Sequence, residues 1–225
     1  MRLSLRYIIP LLLLFQVQVF AQNSPGTDTD ALQNYNNGRD MENRNRMFEA
    51  NYFYNAAIKI CNDKISGNAA SADTYTILTW ALRRQKQYQD AVVWGERGLR
   101  LYPDEYRIIE TMGEAYFYLN DYDSSLRYMQ RYANAVPQGD RTSVSYFFIG
   151  EIYRLRKQYF HADIAYSTAV SLEPSLALWW YRLGMVREAA GDYTQAVVAY
   201  EQAVKLNPNY PEANEGLARS RKQTG

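Results

Sequence analysis

The chain has 225 residues, 47% of them hydrophobic and 22% charged, with 25 basic residues against 24 acidic ones and a formal net charge of +1. That length bounds one folded domain, and a charge so close to zero supplies no global field for nucleic acid or anionic lipid. The single cysteine, Cys61, excludes an internal disulfide and falls within a helical apolar pattern, so it reads as a small buried hydrophobe and stability must come from packing.

At the N-terminus, Arg2 and Arg6 precede an apolar run from Tyr7 to Val19, and Val19-Phe20-Ala21 ends that run where a signal peptidase needs small residues. Residues 1–21 are therefore predicted to be a secretory signal peptide, which implies an exported chain, periplasmic in a bacterium or secreted. Pro10, Gln16 and Gln18 interrupt a run already too short for a membrane span of about 20 residues. Membrane contact is expected only if this segment stays uncleaved. Cys61 lies too far downstream to carry a lipoprotein anchor. Residues 22–37 are polar, rich in Asn, Asp and Thr, and lack helical apolar spacing, so they read as a flexible linker.

Beyond this point the chain repeats. Gly113, Gly150 and Gly184 are each followed 24 residues later by a proline, Pro137, Pro174 and Pro208, and the same offset back from Pro103 reaches the small residue Thr79. Four 34-residue units result, 72–105, 106–139, 143–176 and 177–210, with Asp140-Arg141-Thr142 as the one interruption of phase. Counting back once more gives a degenerate unit, 38–71, in which Phe48, Tyr54 and Ala57 stand where the next unit has Leu82, Tyr88 and Ala91. Each unit holds two amphipathic stretches separated by a short polar break, the pattern of paired antiparallel helices. Gly191 can take the left-handed conformation that ends a helix, and Asp192, like Asp121, can cap the next one. Each proline near a unit's end stops the second helix. Residues 211–224 form a closing helix, with Leu217 inward and Arg219, Arg221 and Lys222 outward, which reads as a solvating cap. In the third unit, Met129 and Tyr132 replace the usual aromatic and small residue, which predicts splayed packing at the junction with the fourth.

These units resemble the tetratricopeptide repeat (TPR), a 34-residue helix-turn-helix with Trp, Leu-Gly, Tyr, Ala, Phe and Pro signatures. The last unit carries Trp180, Leu183-Gly184, Ala196, Tyr200, Ala203 and Pro208, with Arg187 at the usual Tyr position; the fourth carries Tyr146, Ile149-Gly150, Tyr153, Ala162, Tyr166, Ala169 and Pro174. The resemblance implies an all-α, right-handed superhelical solenoid of about five repeats plus a C-terminal capping helix.

The chain offers little catalytic chemistry. The lone His161 sits beside Phe160 at the start of a second helix, and there is no Cys/His ligand cluster, HExxH, Walker loop or GxSxG element. Neither an enzyme activity, nor a cofactor, nor a metal site is expected. The resemblance implies instead that the first helices line a concave groove. By repeat position it places Trp80, Arg83 and Arg84 there in the second unit, and Glu114, Phe117 and Tyr118 in the third. The fourth contributes Phe147, Phe148, Glu151 and Arg154, and the fifth Tyr181, Arg182, Met185 and Glu188. Aromatic rings beside arginines and carboxylates are the composition of protein-binding hot spots, and Arg83, Arg84 and Arg154 are expected to receive an acidic group. The lysine and asparagine clamp by which some TPR proteins hold chaperone C-termini is not matched by Thr76, Trp80, Glu110 and Glu114. The expected function is thus a periplasmic or secreted scaffold or adaptor with a protein or peptide partner, without nucleic acid, and with a monomer among the open oligomeric states. The alternative is an accessory of a transport or lipid-handling system that binds a small hydrophobic or anionic molecule.

Overall fold

The computed structural model describes residues 26–225. The predicted signal peptide and the start of the predicted linker lie outside the described residues. Among the described residues there are eleven α-helices and no strand: α1 (Asp28–Asn43), α2 (Met47–Ser66), α3 (Ala72–Arg84), α4 (Tyr88–Leu101), α5 (Tyr106–Tyr118), α6 (Tyr122–Ala135), α7 (Thr142–Leu155), α8 (Tyr159–Leu172), α9 (Ala177–Ala189), α10 (Tyr193–Leu206) and α11 (Pro211–Thr224). None of them is long and apolar enough to cross a membrane.

Local chemistry sets the helix boundaries. Lys86, Asn120, Lys157 and Gly191 all have positive φ and occupy one recurring place, the turn from a first helix to a second. Asp121 and Asp192 then accept from the backbone N–H of Ser124 and Gln195, at 3.0 and 3.1 Å, and so satisfy N-terminal donors that have no partner within the helix. At the chain's beginning, reciprocal capping boxes join Thr27 to Asp30 and Ser71 to Thr74. Pro103, Pro137, Pro174 and Pro208 each lie two residues beyond the end of a second helix.

Consecutive helices pack throughout the array. In addition α1 touches α3, α3 touches α5, α5 touches α7 and α9 touches α11, whereas no two second helices pack comparably among the described residues. The array therefore curves with its first helices on the inner side. The core lies between the two layers and is built from pairs of very small and very large residues. A Cβ on Gly150 or Gly184 would stand 2.6 Å from the ring of Tyr166 or Tyr200, so only a glycine lets the ring lie flat on the backbone at these crossings. Second-helix Ala91, Ser125, Ala162 and Ala196 are all wholly buried at the matching crossings.

Two expectations need correction. Residues 28–37 are not a tether but the first two thirds of α1. The buried positions of α1 are Ala31, Tyr35 and Gly38, at helical spacing but mostly too small to register as an apolar stripe. The first unit is consequently out of phase by seven residues: Gly38 lies against the Tyr54 ring, as Gly184 does against Tyr200, and Phe48, expected to be buried like Leu82, is 86% exposed. At the third unit, where splay is expected, α5 and α6 both still pack on α7, the first helices touching less extensively than α3 does α5. Met129 takes the place of the tyrosine beneath Gly113, whose missing side chain makes room for its sulfur.

Candidate binding face

The first helices present a ladder of ion pairs rather than a stripe of exposed rings. Arg83 donates to Glu114 at 2.8 Å, Arg141 to Glu110 at 2.8 Å, Arg182 lies 3.0 Å from Glu151, and Arg219 donates to Glu188 at 2.9 Å. Partners in all four pairs are 31 residues apart, one repeat less about one helical turn, so each pair joins neighbouring first helices on the same face. Arg219 therefore lies across the inner face and is not simply outward. Tyrosines of the second helices complete the ladder from below: Tyr54 and Tyr200 donate to Glu42 and Glu188, both at 2.6 Å, and Tyr166 donates to Glu151. Burial first, and then the adjacent carboxylate, raises the hydroxyl pKa of Tyr54 and of Tyr200.

The predicted residues fall into two groups. Glu114 and Glu151 are buried as salt-bridge centres, and Arg83, Arg154 and Arg182 are engaged with them. Arg154 donates to Glu151 at 2.7 Å within its own helix. Of the aromatics, Phe148 is buried and Phe117 is half-buried against it, with centroids 5.0 Å apart. Phe147 stacks on Trp179 at 5.0 Å and ties α7 to α9. Tyr181 is held between Tyr200 and Tyr210, and Met185 is half-buried against the same core. Tyr118 is the clearly exposed ring of the set, stacked on Tyr88 at 4.8 Å. Trp80 and Arg84 line a recess.

That recess, about 180 Å³ in volume, is bounded by Tyr35 and Arg39 of α1, Trp80, Arg83 and Arg84 of α3, Arg107 and Glu110 of α5, Tyr132 of α6, and Arg141 just before α7. A third of its wall could not be read from repeat position, because Tyr35 belongs to the segment read as a linker, Arg39 to the start of the unit placed out of phase, and Arg141 to the inserted link. Its floor is the Tyr35–Trp80 ring pair, 5.3 Å apart, with the Arg39 and Arg107 guanidinium carbons each 5.9 Å from one of the rings. At its back, Glu110 and Glu114 sit together, both nearly inaccessible. Burial, then the Glu114 charge, pushes the Glu110 carboxyl up to about 8. Burial acts upward on Glu114 as well, but Arg83, a hydrogen bond from Glu110, and Arg141 outweigh it and hold Glu114 below the usual carboxylate range. The pair thus behaves as one carboxylic acid donating to one carboxylate.

His161 lies on the outer side, exposed, with its ring 5.1 Å from Tyr153.

Comparison with known proteins agrees with the repeat. Residues 177–210 match the family model of the tetratricopeptide repeat. No curated protein sequence matches the chain. Among solved structures, MamA (41-end) from Desulfovibrio magneticus RS-1 superimposes with a TM-score of 0.64 at 18% identity, covering 83% of this chain and 99% of that one. MamA AMB-1 gives 0.60 at 17% identity, covering 81% and 94%. At such identities the likeness is one of fold.

Proposed function

We propose that this tetratricopeptide-repeat solenoid is an exported, periplasmic adaptor that holds a segment of another protein along its inner face and helps assemble a complex of the cell envelope. The observation that carries this reading is the inner face itself: arginine–carboxylate pairs recur at a fixed spacing along the first helices, and the exposed Tyr118 ring and the recess beside Trp80 open onto the same face. Such a surface matches an extended chain, whose own repeat of polar and apolar groups can engage several rungs at once. The signal-like character of residues 1–21 supports export. An enclosed lipid or metabolite is the weaker reading, because the inner-face recesses of about 180 and 210 Å³ are small beside the roughly 300–1,000 Å³ of typical small-molecule pockets.

Site-specific photocrosslinking in intact cells tests this. A crosslinker in place of Tyr118, exposed on the inner layer, is expected to capture a discrete partner in the periplasmic fraction, and one in place of Val198, exposed on the outer layer, is not. Equal capture from both positions, or a cytoplasmic location of the protein, would sink the proposal.

A further inference from the structure

Resting on that reading, we propose that the recess between α1, α3 and α5 is the anchor point for an acidic segment of the protein partner, one carboxylate of which is received by Arg39 and Arg84. The wall carries five guanidinium groups and a single carboxyl group, that of Glu110. Their engagement is uneven. Arg107 is fully committed, to Asp73 and to Glu105, each at 2.7 Å, and Arg141 is shared between Glu110 and Glu114. Arg84, in contrast, reaches its only carboxylate, Glu42, at 3.5 Å, and its Nε is buried without an acceptor, as is the Nε of Arg83. Arg39 has no carboxylate partner among the described residues and lies exposed at the rim beside the Tyr35 ring.

Buried N–H donors lacking an acceptor are costly, and an incoming carboxylate satisfies them with charge-assisted bonds. The Tyr35–Trp80 floor excludes water from beneath that carboxylate, which strengthens the attraction. With Arg83, Arg107 and Arg141 paired to carboxylates, the positive charge left to the wall is that of Arg39 and of the loosely held Arg84.

One feature selects a protein segment over a free anion. The recess adjoins a second one of about 210 Å³, which shares Trp80 and Arg107 and adds Leu32 and Ile77 beside Thr29 and two aspartates already paired, Asp28 with Lys64 and Asp73 with Arg107, so an occupant continues past the carboxylate onto a partly apolar surface. An acidic residue flanked by apolar ones fits this succession.

The test is fluorescence anisotropy of the purified protein with a labelled peptide of alternating glutamate and phenylalanine, alongside its glutamine counterpart, with citrate and inorganic phosphate as competitors. The acidic peptide is expected to bind at least tenfold more tightly than the glutamine peptide, and the more weakly the higher the salt. Arg84→Gln and Arg39→Gln should each lower its affinity about tenfold and leave the glutamine peptide unaffected. Arg39 is exposed, so this variant reports on binding even if Arg84→Gln misfolds, and circular dichroism checks both. Equal binding of the two peptides, no binding of either, or an unchanged affinity in Arg39→Gln would overturn the inference. So would citrate or phosphate outcompeting the acidic peptide at equal concentration, which would identify a free-anion site. If the inner-face crosslink persists while any of these occurs, the adaptor reading stands and only the acidic anchor falls.

Discussion

Arg219 of the last helix donates to Glu188 at 2.9 Å across the same 31-residue separation that joins Arg83 to Glu114 near the other end of the array. The two pairs differ in depth. Arg219 is 57% exposed, whereas Arg83 is 14% exposed and faces a carboxylate that is almost wholly buried. Removal of one partner from a buried pair leaves an uncompensated charge, but an exposed pair is screened by water. Arg83→Ala is expected to cost about 3 kcal/mol and Arg219→Ala under about 1 kcal/mol. Urea unfolding of the two variants measures the difference, and equal losses would contradict it.

The Tyr200 ring is clamped between two glycines: added Cβ atoms would stand 2.6 Å away at Gly184 and 2.4 Å away at Gly216. The ring cannot retreat from one without meeting the other. Gly184→Ala should therefore destabilise by about 2 kcal/mol despite the better helix propensity of alanine. At Gly191 nothing lies near the added atom, and only the φ of +82° opposes it. Gly191→Ala should cost about 1 kcal/mol. The order of the two thermal midpoints is the check.

The buried acid of Glu110 gives stability a pH dependence of definite sign. Its carboxyl rises from an ordinary 4.5 to about 8 on folding, so the unfolded chain loses this proton first as pH increases. The contribution is complete below about pH 4.5 and declines as pH rises towards about 8. Glu110→Gln, whose amide keeps a carbonyl for Arg141, should flatten this part of the curve and melt above the parent chain at pH 9. Parallel pH profiles for parent and variant would refute the assignment. Arg83, Arg141, Glu114 and Tyr132 are the charged and titratable groups acting on this site.

Cys61 is buried in α2, and burial, followed by the nearby Asp28 charge, pushes its thiol up to about 12. The native protein should react with a thiol reagent only at the rate at which this region opens, and promptly in denaturant. Fast stoichiometric labelling at pH 8 under native conditions would argue against this packing.

The 34-residue period and the paired-helix architecture were legible because small residues recur at the crossings and a proline follows each second helix from Ala72 onward. The first pair was not. The period had been carried back into a region where α1 and α2 are longer than their successors, with 16 and 20 residues, so counting placed Phe48 in the core and hid the match of Gly38 to Gly184. The binding face was half legible. Repeat position set Trp80, Arg83, Arg84 and Glu114 on the first helices, where α3 and α5 hold them, yet it could not say that Arg83 and Glu114 neutralise each other. That pairing depends on the stagger between neighbouring helices, which a linear phase does not encode. Arg141 escaped because it lies in the one segment out of phase, and Tyr35 because a single ring among polar neighbours carries no periodic signal.

The ion-pair ladder also has a direction. Between the second and third units the arginine belongs to the earlier unit, Arg83, and from there on it belongs to the later one, Arg141, Arg182 and Arg219. The third unit is the point of reversal, where Glu114 is gripped from both sides. Glycine and tyrosine crossings recur in the fourth and fifth units, but these charges do not: the third unit alone supplies carboxylates to arginines on both of its sides. Order along the array is thus written in electrostatics: the third unit has a place of its own, set by the arginines that meet it from either side.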